Sequence, residues 1–435
     1  MIKLNLLTNV KALQFFHLAR QGTAILIAIL LAKSTISTAD IGTYEMLNYI
    51  GFLTSFFWTS GLMQGMLGLY PRLDIEKQRL FVFNAYLVFS GISLFIFSVL
   101  FLSRHWALLA LIHQPNLDYF DIFLVFSLVN LPTFLLENYY LLQEKPLQLY
   151  YWAVFSFGIQ LVVVLAPVFL GYGLQVSFYG LAALGALKWS WLTFFTLQNG
   201  TWKIDHLLLS KWFSVAMPLV LYALISAVNQ SYDSWLVGYF FKGDEPTFAL
   251  FRYGARELPM VIAMSNAFSA AMVPAIAKNL EQGLSQVKEK SKKLFHLLFP
   301  ASIALMLGSH WLFPFVFSPA FNQSIPVFNI FLLITISRLV FSRTVLVGLQ
   351  DNRVILLISL LEFFVHIIAG LAFGSRWGLV GIAWAAMLAY SLEKILICVY
   401  LYYRHGIGLG AYTPMRWYVL YSILLLGAFF FTLFL

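Results

Sequence analysis

The sequence predicts an all-α polytopic membrane protein, with two halves of six transmembrane helices each and one further helix at the C-terminal end. Three observations lead there. The 435-residue chain is 61% hydrophobic and only 10% charged, whereas a soluble domain carries about 25% charged residues. So few charges cannot cover the surfaces of several soluble domains. The apolar residues fall in continuous runs such as Phe81–Leu102 and Gln160–Leu170, where a membrane barrel would alternate polar and apolar positions over about 10 residues. Thirteen stretches approach or exceed the length a spanning helix needs, roughly 20 residues. Soluble enzymes, nucleic-acid binders and secreted disulfide scaffolds are excluded. The single Cys398 has no partner for an internal disulfide.

In chain order, the first stretch, 13–33, follows a basic tail and carries Gln14, His17, Arg20 and Gln21. It reads as a span and not a signal peptide, since it contains Arg20 and no small-residue cleavage site follows. The second, 42–69, places Tyr44, Asn48, Gly51, Ser55 and Thr59 at helical spacing with Glu45 beside them, and runs on to Pro71. Stretches 80–102, 119–142 (with Glu137), 149–170 and 177–198 (with Lys188) complete the first half. The seventh, 211–235, aligns Tyr222, Ser226, Asn229 and Asp233 on one face. The eighth, 248–275, carries Arg252 and Arg256 four residues apart, then Pro259 and Asn266. Then come 293–317, 326–349 (Arg338, Arg343), 354–375 (Glu362), 378–401 (Glu393, Lys394) and 416–435. The expected organisation is an N-terminal lobe, 1–200, a C-terminal lobe, 201–403, and a loop with a thirteenth helix, 404–435. The connections are too short for an extramembrane domain.

With the N-terminus inside, the inner segments hold sixteen Lys and Arg and the outer segments four. That is the bias of cytoplasmic loops. It accounts for most of the net charge of +9 and implies no nucleic acid. Lys288-Glu-Lys-Ser-Lys-Lys293, the strongest cluster, reads as an inner anchor that attracts anionic lipid heads. The halves echo each other weakly. Small-residue runs close on Pro71 and on Pro274, 203 residues apart. Such runs also occur wherever membrane helices touch, but two equal halves fit a transporter built from parallel repeats.

Charge at bilayer depth costs at least about 2.5–3.5 kcal/mol and marks bundle interiors or wet cavities. Spans one, two, seven and eight, the corresponding pairs of the two halves, each carry a polar stripe. For a single Asn or Ser the plain reading is an interhelical hydrogen bond. Lys188, Glu393 and Lys394 read as structural or snorkelling residues. Arg20, Arg252 and Arg256 point elsewhere: arginine pairs bidentately with phosphate and stays charged at any physiological pH. A cavity lined by them suits a phosphate or pyrophosphate. Glu45, Asp233 and Glu257 would neutralise these cations between substrates, or bind a coupling ion, H⁺ or Na⁺. Asn48 and Asn229 complete the candidate substrate-binding set. No zinc-protease His spacing and no phosphate-binding P-loop appears, and no cofactor is expected.

The order of these features resembles a known family. A basic tail and a span with Arg20 lead to Asp40-Ile-Gly-Thr-Tyr-Glu45 and close on Gly61…Tyr70-Pro71; Phe248-Ala-Leu-Phe-Arg-Tyr-Gly-Ala-Arg-Glu-Leu-Pro259 looks like the matching start of the second half. This is similar to Wzx-type polysaccharide flippases of the multidrug/oligosaccharidyl-lipid/polysaccharide exporter superfamily. The resemblance implies two six-helix lobes in a V, alternating access, and outward movement of a polyprenyl-pyrophosphate-linked oligosaccharide across the bacterial cytoplasmic (inner) membrane, for surface polysaccharide such as lipopolysaccharide. It implies cavity arginines on the pyrophosphate, here Arg20, Arg252 and Arg256, and other polysaccharide-assembly proteins as partners. The thirteenth span departs from the family's even count. Rival readings are a cation-coupled multidrug antiporter of the same superfamily, a polysaccharide polymerase or ligase, and a scramblase or scaffold. The antiporter needs acids to dominate the cavity. The enzyme needs a long catalytic outer loop, whereas the longest one here has only Arg104, His105 and His113 in sixteen residues.

Overall fold

The computed structural model describes residues 8–256 and 258–434, and among them every regular element is a helix. Helices form at each predicted stretch. Among the described residues nine have the length and apolarity to cross a membrane, or ten if the pair Leu280–Leu307 and Ser309–Val316, bent by 79°, is one span. Thr38–Leu69 and Gly173–Asn199 are long enough, with 32 and 27 residues, but lie outside that group. Large apolar side chains face outward, among them Leu18, Phe95, Val162 and Ile368, each more than 60% exposed. In water such a surface would aggregate; in lipid it is the required exterior.

The helix starts are chemically marked. Ser37 and Asp40 form a reciprocal capping box at Thr38–Leu69. Asp74 caps Ile75–Leu102, accepting from the Lys77 backbone N–H and pairing with its ammonium at 3.1 Å; those contacts hold the Asp74 carboxyl below its ordinary pKa. Helix breaks are marked as well. Asn352–His405 runs 54 residues, about 81 Å at the α-helical rise, far more than the ~30 Å hydrocarbon core. It is two helices divided at Gly378 (φ 58°, ψ −134°), a backbone state open to glycine. Arg376 lies just before that break.

A single helix through Arg252 and Arg256 is one sequence expectation that fails; the span predicted over 326–349 also divides, at residues 339–341, and that over 293–317 bends between Leu307 and Ser309. The segment with Arg252 and Arg256 forms Glu245–Gly254 and Pro259–Lys278 with a non-helical interval between. Pro259 has no N–H and disfavours helical backbone at the preceding residue, and Leu258 is extended (ψ 116°). Glu257 lies outside the described residues.

The chain divides into two compact units, one of residues 1–231 with 242–246 and one of 232–241 with 247–435. In the first, Asn9–Ala32 packs on Pro146–Phe169, which in turn packs on Gly173–Asn199. Its core holds Trp58, Phe81, Phe89, Tyr139 and Trp212. The Trp212 indole donates to the Leu62 carbonyl at 3.1 Å. That contact lies where Gly61 and Gly65 meet Val220 and Ala216: a Cβ at Gly61 would fall 2.5 Å from Val220 Cα. Small residues let backbones approach in lipid, where no hydrophobic force drives helices together. Gly42, the glycine of Asp40-Ile-Gly-Thr-Tyr, has the same explanation: a Cβ there would overlap the Glu245 carbonyl. Gly42→Ala and Gly61→Ala are each expected to cost about 1–3 kcal/mol by overpacking. A lowered melting temperature of the detergent-solubilised chain checks this; unchanged melting in both would contradict it. In the second unit, Leu280–Leu307 packs on Pro259–Lys278 and on Met415–Thr432.

Candidate functional site

Arg20 sits in the first unit on an exposed polar face with Gln14, His17 and Gln21. Its guanidinium is 3.3 Å from His17 Nδ1. It lies within electrostatic reach of Glu137, as does Lys188. Lys188, read from sequence as a structural or snorkelling residue, is buried, 7% exposed. Its ammonium donates to Asn130 Oδ1 at 2.7 Å and faces the Trp152 ring at 6.0 Å. The first unit therefore holds an internal charge set, Arg20, Glu137 and Lys188. The Glu137–Lys188 coupling joins different helices, Phe134–Leu142 and Gly173–Asn199, so no local pattern announces it.

The stripe on Thr38–Leu69 divides. Ser55 and Thr59 donate to the carbonyls of Gly51 and Ser55 in their own helix, the usual way a mid-helix hydroxyl is satisfied. Asn48 is exposed and lines a cavity of about 170 Å³ with Ser55, Ser93, Ser127 and Asn130. Glu45 is buried, 4% exposed. Asn229 is half-buried in the first unit, one turn beyond Ser226, whose hydroxyl accepts from Gln230 at 2.9 Å.

Asp233 belongs to the second unit. Its Oδ1 is 2.8 Å from His366 Nε2. His366 is 5% exposed, and the Tyr232 ring meets it edge-on at 5.1 Å. The Tyr232 hydroxyl donates to the Ile367 carbonyl at 2.9 Å, fixing that ring. Glu362, one turn before His366, is within electrostatic reach of His366, Asp233, Glu393 and Lys394. His366 escaped the sequence reading because its partner is 133 residues away. The available signal was Glu362 and His366 at i and i+4 in an apolar helix.

Arg252 and Arg256 are also in the second unit. Arg252 is in the last turn of Glu245–Gly254. Arg256 stands in the non-helical interval, where its Nε donates to the Arg252 carbonyl at 3.3 Å and its guanidinium lies 4.7 Å from the Tyr253 ring centre. The two arginines are thus joined through backbone and ring, and not as neighbours on one helical face. Irregular backbone at membrane depth persists where protein or a water-filled cavity satisfies it, and broken helices accompany transporter binding sites.

The sequence matches no protein family and no curated protein. Among solved structures the chain is similar to the lipid II flippase MurJ in an inward closed conformation, at 15% identity and TM-score 0.72, covering 96% of this chain and 92% of that one. It is similar to a multidrug resistance MATE family transporter of the MOP superfamily in an inward-facing conformation, at 12% identity and TM-score 0.64, covering 96% and 99%. The corresponding outward-facing conformation gives 12% and 0.53, covering 96% and 97%. At these identities the likeness is one of fold. The chain has the fold shared by that flippase and that MOP-superfamily transporter.

Proposed function

We propose that the chain is a flippase that moves a polyprenyl-pyrophosphate-linked oligosaccharide from the inner to the outer leaflet of the bacterial cytoplasmic membrane, for surface polysaccharide, with its N-terminus cytoplasmic. The lobes of this reading are the two six-helix repeats, 1–200 and 201–403, working by alternating access. Arg20, Arg252 and Arg256 bind the pyrophosphate; Asn48 and Asn229 offer amides to the sugar, and Glu45 balances the cations. The observation that carries the reading is the placement of Arg256 at the break before Pro259, hydrogen-bonded to the Arg252 carbonyl. A guanidinium fork matches a phosphate's geometry, and a hydrated cationic path removes the cost of taking the charged head through hydrocarbon. The membrane potential favours outward movement of negative charge by about 2.3 kcal/mol per charge per 100 mV.

The Asp233–His366 pair supports H⁺ as the coupling ion. Histidine is the side chain whose ordinary pKa lies within the physiological range, and intramembrane Asp/Glu/His sets are proton relays elsewhere. The same acids favour one rival, the cation-coupled multidrug antiporter. A strain lacking the gene separates the two. It is expected to lose surface glycan and to accumulate lipid-linked oligosaccharide on the inner leaflet. Intact glycan together with new sensitivity to cationic drugs would select the antiporter.

A further inference from the structure

The first unit carries a groove of about 570 Å³ walled by Pro146–Phe169 and Gly173–Asn199, with Tyr140 of Phe134–Leu142 also in its lining. Its size falls within the range of small-molecule sites, about 300–1,000 Å³. Arg20, Asn48 and Asn229 are not part of it. The lining is sorted by position. Lys145, Gln148, Gln198 and Asn199 lie where one helix begins and the other ends. Phe155, Leu187, Trp191 and Phe194 lie further along the same two helices, and each is 38–63% exposed.

The polar end is fixed by local structure. Phe134–Leu142 closes in a Schellman turn: the Lys145 N–H donates to the Tyr140 carbonyl at 2.8 Å and the Glu144 N–H to the Leu141 carbonyl at 3.1 Å, with Glu144 left-handed (φ 53°). Pro146 then opens the next helix. The aromatic wall is fixed as well, since the Trp191 indole donates to the Tyr140 hydroxyl at 2.8 Å. Among the described residues, the Lys145 ammonium and the Gln148 and Gln198 amides have no hydrogen-bond or ion-pair partner. An ammonium offers three donors and a carboxamide two.

Depth and chemistry together select the occupant. Lys145 to Phe155 is ten residues, about 15 Å at the helical rise. That is one leaflet, half of the ~30 Å hydrocarbon core. The donors therefore sit where a lipid's head lies, and the aromatic side chains where its chain lies. Net charge does not select the head. Glu144 is exposed and outside the lining, and counting it leaves Lys145 offset. Lys188 reaches the Trp152 ring at 6.0 Å, but it engages Asn130 and is also outside the lining. The selection rests on donors arranged on two helices. A glycerophospholipid meets them with phosphate oxygens for the ammonium and ester carbonyls for the amides, whereas the single carboxylate of a fatty acid is too small to meet both sets.

We propose that this groove holds one phospholipid of the surrounding bilayer, with its phosphodiester on Lys145 and the Gln148 and Gln198 amides and one acyl chain along Phe155, Trp191 and Phe194. The site is independent of the flippase reading.

The test is native mass spectrometry of the delipidated full chain, titrated with phosphatidylglycerol, phosphatidylethanolamine, diacylglycerol of the same chains, and farnesyl phosphate. Both phospholipids are expected to bind about tenfold or more tighter than diacylglycerol, the value of one charge-assisted hydrogen bond. Lys145→Gln should remove that preference by weakening both phospholipids about tenfold and leaving diacylglycerol unchanged. Phe194→Ala, at a half-exposed position the fold tolerates, should weaken all three about five- to tenfold. Lys203→Gln, at an exposed lysine outside the lining, should change nothing. Three results would overturn the proposal: equal binding of diacylglycerol and phospholipid by the wild-type chain, a loss in Lys203→Gln as large as in Lys145→Gln, or unchanged binding in both Lys145→Gln and Phe194→Ala. Preferential displacement of phospholipid by farnesyl phosphate would also overturn it, by assigning the groove to a prenyl-linked substrate.

Discussion

A chain carrying Arg20→Ala and Arg256→Ala together is expected to reach normal abundance in the membrane and to restore no surface glycan to a strain lacking the gene. Each arginine is assigned one or two charge-assisted contacts to the pyrophosphate, about 1.5–3 kcal/mol apiece. Loss of both should slow flipping by about a hundredfold or more. The fold has little stake in the Arg20 side chain. Arg20 is exposed on its helix, and Glu137 keeps Lys188 within electrostatic reach when it is removed. Arg256 gives up a stacking contact with Tyr253 and a backbone hydrogen bond, worth about 0.5–2 kcal/mol for the stacking. Arg20→Lys keeps the charge but not the fork and should fall between wild type and Ala. Immunoblots for glycan and for chain abundance give the answer. Full glycan in the double variant would remove these two residues from the pathway.

The second large effect is expected at Asp233 and His366. If the pair takes up a proton in one arrangement and yields it in the other, Asp233→Asn should abolish stimulation of flipping by an imposed pH difference, while movement driven by membrane potential remains. The groups around the imidazole are Asp233 at 2.8 Å, the edge-on Tyr232 ring and the nearby Glu362, itself coupled to Glu393 and Lys394. Both partners therefore need changing. A lone His366→Ala leaves a carboxylate without its partner, and breaking a buried charge pair costs about 3–5 kcal/mol. The double variant Asp233→Asn/His366→Gln keeps a neutral hydrogen bond and should fold. Its rate in proteoliposomes should be flat between pH 5 and 8, where wild type varies by about tenfold or more, the span over which an unperturbed histidine titrates. A retained pH response would place the proton elsewhere.

Particular residues show what could be read from sequence. The helices were legible because apolar runs of spanning length have few other meanings. The division at Gly378 was legible because the apolar stretches 354–375 and 378–401 are each long enough for one crossing. The helix end at Gly254 was not, although Pro259 was in plain view: a proline within an apolar run is compatible with a kink or a full break, and tertiary packing selects between them. Single-residue chemistry was readable only where the answer is local. Ser55 and Thr59 satisfy themselves within one turn, whereas His366 depends on Asp233 and Arg343 on Glu393, contacts 133 and 50 residues long. Glu393 and Lys394 read from sequence as structural or snorkelling residues, and sequence alone did not choose between the two. Both are buried, where Glu393 pairs with Arg343 from 50 residues away and the Lys394 ammonium faces the Tyr390 ring one turn back in its own helix.

The most direct measurement uses the purified chain in proteoliposomes loaded with a fluorescent polyprenyl-pyrophosphate oligosaccharide and quenched from outside with a membrane-impermeant reductant. Wild-type chain should expose nearly all of the lipid to the quencher, with Arg20→Ala/Arg256→Ala leaving about half protected, as in empty liposomes. Half of the lipid still protected with wild-type chain, in vesicles where the same chain exchanges a cationic dye for protons, would contradict the flippase account and establish the antiporter instead.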